Sequence, residues 1–127
     1  MGSMKLLIID DEAEFAATLC RRLQLRNIDA LDAHSGEEGL AVLTEVNPDV
    51  VILDLKMQDM SGLDVLEQIK AYNSDIAVIM LTGHGSVRAG MKAREKGAFD
   101  YIIKPVDLSD LLIKINAAVE KQAEDRE

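Results

Sequence analysis

The chain has 127 residues, a length that suits one ordinary domain, and 48% of them are apolar, which is enough for a substantial core. Its net charge is −9 and it has no cluster of Lys and Arg that would displace counterions from a nucleic acid, so we expect no direct nucleic-acid binding. Its one cysteine, Cys20, cannot form an internal disulfide, so we expect a small core residue in a reducing, cytoplasmic setting. No apolar run approaches the roughly 20 residues of a membrane helix, so we expect no membrane association.

Five short apolar runs predict five β-strands, and those at residues 7–9 and 50–53 are continuous rather than alternating. Continuous runs are typical of strands that are buried on both faces, as in a parallel sheet covered by helices. The predicted strands are residues 5–9, 28–33, 50–53, 76–81 and 99–103.

Helical patterns separate and follow these runs, and most have a recognisable first residue. The predicted capping residues are Ser35 with Glu38, then Ser61, Ser86 and Asp107, and Gly97 is the predicted end of the fourth helix. Alternating strands and helices predict an α/β fold with a parallel sheet and right-handed crossovers. Five such units favour an open sheet in the flavodoxin-like order 2-1-3-4-5, with five helices on both faces.

We expect residues 4–120 to form this one domain. Residues 1–3, ahead of Met4, look like a cloning scar. Residues 121–127 are almost entirely polar, so we expect a solvated helix end or the start of a linker.

In open α/β sheets, ligands bind beyond the carboxyl ends of the strands, so the residues found there are the candidate site. In chain order they are Asp10, Asp11 and Glu12, then Asp54, then Thr82 with Gly83, and last Lys104 followed by Pro105. Each has an ordinary structural explanation, such as a helix cap, a turn residue or a solvated charge. Their joint placement at one edge nevertheless favours a shared site.

The residue types at this edge suit phosphoryl transfer. Crowded carboxylates repel one another, and an all-oxygen site that relieves the repulsion favours Mg²⁺. An ionised Asp54 can attack phosphorus to form an acyl phosphate. The ammonium of Lys104 and the hydroxyl of Thr82 can stabilise the transferred group, because such reactions depend on positioning and charge neutralisation.

Four short motifs resemble those of the response-regulator receiver family of two-component signalling, over nearly the whole chain from Met4 to about Val119. They are Ile9-Asp10-Asp11-Glu12, Asp54-Leu55-Lys56-Met57 with Gly62, Leu81-Thr82-Gly83, and Lys104-Pro105. Each motif is weak alone, but their order and spacing are specific. The run from Leu81 to Gly85 is most similar to the receivers of nitrogen-regulation-type transcriptional regulators.

The resemblance implies a role for each matching residue. Asp54 would be the phosphoacceptor, and Thr82, Gly83 and Lys104 would bind the phosphoryl group. Mg²⁺ would be held by Asp10, Asp11, Asp54 and the backbone carbonyl of Lys56. The Lys104–Pro105 peptide would be cis, a form that is accessible only before proline. Lys56 and His84 would tune the lifetime of the acyl phosphate.

Signalling roles also follow from the resemblance. A histidine kinase or a histidine phosphotransfer protein would donate the phosphoryl group. Thr82 and Tyr101 would form the switch, which we favour over the alternative that Tyr101 is a strand residue with a fixed, half-exposed ring. The surface of the fourth helix, fifth strand and fifth helix would then control an output domain or a homodimer. Such a chain is no enzyme in the ordinary sense, because it catalyses only its own phosphorylation and dephosphorylation.

Two positions depart from an ordinary receiver or helix pattern. Gln58 stands where the family often has proline, which leaves the loop less constrained. Gly90 lies inside the fourth helix, where glycine costs about 1 kcal/mol relative to alanine. Gly90 indicates either a soft helix on a signalling face or close packing of that helix on the sheet.

Three other functions fit the same fold. A flavin or nucleotide site would need glycines and hydroxyls after the first strand, where this chain has acids. A phosphatase with an Asp nucleophile of the haloacid-dehalogenase type would need a D-x-D motif there, which Asp10-Asp11-Glu12 does not match. A receiver-like module that works without phosphorylation would commonly lack one or more of the pocket residues.

Overall fold

Strands and helices alternate along the chain, as the apolar runs predict. The computed structural model describes residues 4–83 and 87–126, and everything below refers to those residues. The elements are β1 (Lys5–Ile9), α1 (Ala13–Gln24), β2 (Asp29–Ala33), α2 (Gly36–Val46), β3 (Val50–Asp54), α3 (Gly62–Tyr72), β4 (Ala77–Thr82), α4 (Val87–Glu95), β5 (Asp100–Ile103) and α5 (Leu108–Asp125). All strand pairs are parallel, and the sheet order 2-1-3-4-5 confirms the predicted topology.

The strand boundaries differ from the predicted ones at two places that matter for the site. Asp54 and Thr82 are the last residues of β3 and β4 rather than the first residues of the loops. Asp54 is in register with Leu81, and Thr82 is in register with Ile103. Because the ladder holds their backbones, the positions of both side chains are set by the sheet.

Both faces of the sheet are buried, which explains the continuous apolar runs. Leu6 and Ile8 face a core shared with α1 and α5, whereas Leu7 and Ile9 face a second core shared with α2 and α3. All four side chains are at most 1% exposed. The central strands β3 and β4 are buried at every position, so they have no solvent-facing row to fill with polar residues, whereas the edge strand β2 has exposed positions.

The predicted helix caps are present where the structure describes them. Ser35 Oγ accepts a hydrogen bond from the Glu38 amide at 3.0 Å, and Asp107 Oδ1 accepts one from Asp110 at 3.2 Å. Ser61 caps α3 through the Leu63 amide. Gly97, which follows α4, has a φ of 109°, a conformation that glycine adopts without a steric penalty. The predicted cap Ser86 lies outside the described residues.

The polar end of the chain continues α5 to Asp125 and is partly anchored. The buried side chain of Gln122 donates hydrogen bonds to the carbonyls of Asp49 and Asp75, at 2.6 and 2.8 Å. These carbonyls immediately precede β3 and come two residues before β4, so Gln122 ties α5 to the amino-terminal edge of the sheet. Among the described residues, no helix is both long and apolar enough to cross a membrane.

Close packing accounts for the glycine inside α4. A Cβ atom at Gly90 would lie 2.5 Å from ring atoms of Tyr101 on β5. Real Cβ atoms do not approach other atoms so closely, so α4 can rest on Tyr101 only because residue 90 has no side chain.

We expect Gly90→Ala to lower the free energy of unfolding by about 1–2 kcal/mol, because overpacking outweighs the gain in helix propensity. Urea unfolding measures the change. In a Tyr101→Ala background the ring is gone, so the same substitution should be neutral or stabilising. An equal loss in both backgrounds would show that Tyr101 is not the obstacle.

Candidate active site

The carboxyl edge of the sheet brings the predicted site residues together. Asp10 directly follows β1, Asp54 ends β3, Thr82 ends β4, and Lys104 directly follows β5. The chain reverses its direction of winding between β1 and β3, so a crevice opens at this edge, as is usual for ligand sites in open α/β sheets.

Lys104 forms the centre of the site. Its Nζ atom lies 2.7 Å from Glu12 Oε1, 2.9 Å from Asp10 Oδ2 and 3.8 Å from Asp54 Oδ1. The side chain also passes over the Phe15 ring, with Nζ 4.6 Å from the ring centroid. Burial alone would lower the pKa of Lys104, but the contacts with Glu12 and Asp10 and the charge of Asp54 outweigh it and raise the pKa.

Asp54 carries the largest electrostatic perturbation of the site. Its side chain is 8% exposed, and burial followed by the charge of Asp10 raises its pKa from 3.8 to about 6. The charge of Lys104 and the backbone amide of Lys56 act in the opposite direction but do not cancel the effect. The negative charge of Asp54 is therefore only partly compensated by the protein.

One buried polar atom at this edge, the Thr82 hydroxyl, has no hydrogen-bond partner among the described residues. A buried polar atom without a partner costs about 1–3 kcal/mol, so such atoms are rare in folded proteins. The buried Asp10 Oδ2, by contrast, is paired with the Lys104 ammonium at 2.9 Å. Within the described part of the chain, the Thr82 hydroxyl is therefore free to bond a polar group that enters the pocket.

The carboxylates can supply the ligands of a hard cation. One oxygen each from Asp10, Glu12 and Asp54 lie within 4.8 Å of one another. Oxygen-only donor sets favour Mg²⁺ or Ca²⁺ over softer metals. The residues present therefore fit a bound Mg²⁺.

The structure places Glu12, rather than Asp11, beside Asp10 and Asp54. The Asp11 carboxylate accepts a hydrogen bond from the Gln58 amide at 2.9 Å and lies outside the group of three acids, whereas Glu12 belongs to it. Sequence reasoning noted Glu12 in the motif but gave it no role. The signal was available, because Glu12 follows two acids at the same strand end.

The loop after β3 packs closely over Asp54. The Gly62 amide donates to the Leu55 carbonyl at 2.7 Å, and a Cβ atom at Gly62 would collide with the backbone oxygen of Asp54. Only glycine at position 62 allows this loop to turn so close to the strand. The exposed Lys56 lies in the same loop, where its backbone forms a bridge with Ser61.

The remaining predicted residues lie nearby or outside the described chain. The Lys104–Pro105 peptide is cis. Gly83 is exposed directly after β4, and Tyr101 is partly buried opposite Met80 on the neighbouring strand. His84 lies outside the described residues.

Comparison with known proteins identifies the class. Residues 6–116 match the family model of the response regulator receiver domain. A response regulator receiver domain protein from Clostridium thermocellum superposes with a TM-score of 0.90 at 41% identity, over 94% of this chain and 97% of that one. The chain therefore belongs to the response regulator receiver family, whose members are the receivers of two-component systems.

Relatives from regulatory proteins extend this likeness. The chain is 31% identical to the regulatory protein AtoC of Escherichia coli, over 97% of this chain and 27% of that protein. It is 38% identical to the acid tolerance regulatory protein ActR of Rhizobium meliloti, over 84% of this chain and 55% of that protein. NtrX from Brucella abortus superposes with a TM-score of 0.93 at 27% identity, covering 98% of this chain and 28% of that chain. The chain thus spans about a quarter to about half of these proteins, and the expected likeness to nitrogen-regulation-type receivers is confirmed.

The raised pKa of Asp54 predicts a pH-dependent effect of Asp54→Asn on stability. The folded state disfavours the ionised carboxylate, so the cost is absent well below pH 4, grows between about 4 and about 6, and is complete above about 6. With metal chelated, Asp54→Asn should therefore be more stable than the wild type above about pH 6 by roughly 1–2 kcal/mol, allowing for screening by water. The gain should shrink as the pH falls towards 4.

Thermal or urea unfolding in EDTA at several pH values tests this expectation. The matched control is Asp29→Asn, which removes an exposed acid from the edge strand β2. A wild type that is more stable than Asp54→Asn at neutral pH, or a difference that does not change with pH, would contradict the assignment.

Proposed function

We propose that Asp54 accepts a phosphoryl group in a Mg²⁺-dependent reaction and that the resulting acyl phosphate switches the domain. The main support is the pocket itself: three carboxylates and Lys104 meet at the edge where β4 ends at Thr82, whose buried hydroxyl has no partner among the described residues. A nucleophile, a cation site and hydrogen-bond donors for phosphate oxygens are thus present at one edge.

Asp54 acts as the nucleophile in this proposal. With a pKa of about 6 it is mostly ionised at neutral pH, and its incompletely compensated charge keeps it reactive. One of its carboxylate oxygens forms a bond to phosphorus while the bond from phosphorus to the donor's leaving group breaks. The donor is a histidine kinase or a histidine phosphotransfer protein, so the leaving group is an imidazole nitrogen.

The metal ligands are Asp10, Asp11, Asp54 and the backbone carbonyl of Lys56, and the geometry adds Glu12 as a further candidate. Bound Mg²⁺ neutralises charge on the attacking carboxylate and on the phosphoryl oxygens. The carboxylates attract the ion, and the ion in turn relieves their mutual repulsion, which only one lysine of the described chain otherwise opposes.

Lys104 and Thr82 bind the phosphoryl group in this proposal, with Gly83 providing room beside it. Lys104 Nζ is 3.8 Å from Asp54 Oδ1, so a small movement brings it to a phosphoryl oxygen attached there. The Thr82 hydroxyl donates to another oxygen and gains the hydrogen bond that it lacks among the described residues. Phosphorylation is therefore favoured by contacts that the resting protein does not make.

The switch runs from Thr82 through Tyr101 to the surface formed by α4, β5 and α5. Four large apolar side chains on this surface are exposed, among them Met91 at 57% and Ile113 at 67%, together with Val87 and Ile103. Exposed apolar side chains grouped on one surface are typical of an interaction site. An output domain or a second copy of the chain would bind there after the equilibrium between two forms shifts.

The domain works in the cytoplasm and catalyses only its own phosphorylation and dephosphorylation. No direct contact with nucleic acid is part of this proposal, because the net charge of −9 would repel it.

We expect Asp54→Asn to abolish labelling by a small acyl phosphate donor in the presence of Mg²⁺. The amide cannot form an acyl phosphate, whereas the fold should remain intact. Intact mass measurement detects the added phosphoryl group, and EDTA should remove it from the wild type. Asp29→Asn is the control and should be labelled normally. Labelling of Asp54→Asn at an unchanged rate, or labelling without metal, would contradict the proposal.

Lys56 and His84 stand two residues after Asp54 and Thr82, and we expect substitution of either to change the dephosphorylation rate. The resemblance to the receiver family implies this role, because in the family the two corresponding positions flank the path of the attacking water. The loss of the phosphoryl mass over time measures the rate in Lys56→Ala and His84→Ala. Unchanged lifetimes in both variants would remove this role.

A further inference from the structure

The backbone amide of Gln58 makes a contact that a proline at this position cannot make. Its N–H donates to Asp11 Oδ2 at 2.9 Å across a gap of 47 residues in the sequence. Proline has no N–H, so a chain with proline here would leave that carboxylate oxygen without this bond. The departure at Gln58 therefore has a direct consequence for one of the expected metal ligands.

Asp11, which accepts this bond, lies outside the group formed by the other acids. Asp10, Glu12 and Asp54 each place a carboxylate oxygen within 4.8 Å of the others, and Asp11 is not among them. Keeping a fourth negative charge outside this group lowers the repulsion in the metal-free pocket. The charge of Asp11 accordingly raises the pKa of Asp54 less than burial and the charge of Asp10 do.

The loop that carries Gln58 is itself anchored. The next residue, Asp59, accepts hydrogen bonds from the Gly36 and Glu37 amides, both at 3.0 Å, at the first turn of α2. These two bonds place a carboxylate at a helix N-terminus, and the pKa of Asp59 is lowered by them. These bonds therefore anchor the residue next to Gln58 to the first turn of α2.

We propose that the Gln58 amide is a latch that withholds Asp11 from the metal pocket in the resting protein. Mg²⁺ recruits Asp11 only by breaking the Gln58–Asp11 hydrogen bond, so the affinity for Mg²⁺ is lower than in the same chain with proline at position 58. Gln58 is a positioning residue in this inference, which rests on the proposed Mg²⁺ pocket.

Two substitutions at position 58 separate the amide from the side chain. Gln58→Pro removes the N–H, whereas Gln58→Ala keeps it and removes only the exposed side chain. Calorimetric titration with Mg²⁺ alone should show binding about tenfold tighter in Gln58→Pro, the effect expected for release of a hydrogen bond to a charged group. Gln58→Ala should stay within about twofold of the wild type.

A second pair of variants tests whether Asp11 is the group released. In an Asp11→Ala background, Gln58→Pro should no longer change the Mg²⁺ affinity, because the latch has nothing to hold. Tightening that persists without the Asp11 carboxylate would show that proline acts by stiffening the loop, which overturns the latch.

Amide hydrogen exchange gives a measurement on the wild-type chain that needs no variant. The Gln58 amide should exchange slowly without metal and faster when Mg²⁺ is added. Protection that is unchanged or greater with Mg²⁺ overturns the latch.

The outcomes distinguish this inference from the proposed function. If the wild type binds Mg²⁺ but Gln58→Pro binds it no more tightly, the latch is wrong and the pocket stands. If neither protein binds Mg²⁺, the metal pocket is wrong and the latch fails with it.

Discussion

Lys104 is shared unequally among three carboxylates, and the properties of the pocket depend on this one arrangement. Its ammonium lies 2.7 Å from Glu12 and 2.9 Å from Asp10 but 3.8 Å from Asp54. Asp54 is the most distant of the three and is also largely buried, so its charge is compensated least. Burial and incomplete compensation together raise its pKa, attract a cation and leave the carboxylate able to react. A second lysine at this edge would stabilise the resting pocket but would weaken its attraction for a cation.

The parallel sheet brings these side chains together, and two glycines allow a loop and a helix to pack closely beside them. The parallel register ends β3 and β4 at Asp54 and Thr82, so side chains that are far apart in sequence share one crevice. Gly62 lets the next loop cross directly over the backbone of Asp54, and Gly90 lets α4 rest on Tyr101. The site is precise because strands, rather than flexible loops, carry Asp54 and Thr82.

Much of this could be predicted from the sequence, because strand order and strand ends follow from apolar runs and βα alternation. The meeting of Asp10, Asp54 and Lys104 follows from their positions at strand ends. The different placements of Asp11 and Glu12 do not, since both residues leave β1 in the same short segment. Which carboxylate turns inward is decided by Gln58 and Lys104, which come from distant parts of the chain. Gly90 was ambiguous for the same reason, because a tertiary contact with Tyr101 decides its role.

In the proposed function, incompletely compensated groups in the pocket link phosphorylation to the surface at α4. A ligand shifts an equilibrium only by as much as its contacts differ between the two forms. The Thr82 hydroxyl has no partner within the described chain, and Lys104 is shared among three carboxylates, so a phosphoryl group and a cation offer contacts that one form lacks. Thr82 ends the strand next to β5, and Tyr101 on β5 touches α4 at Gly90. Movement of Thr82 towards a phosphoryl group would therefore change the space beside a ring that is already packed against a helix. Because that ring cannot press further into α4, the tight contact at Gly90 would give the proposed switch a defined direction.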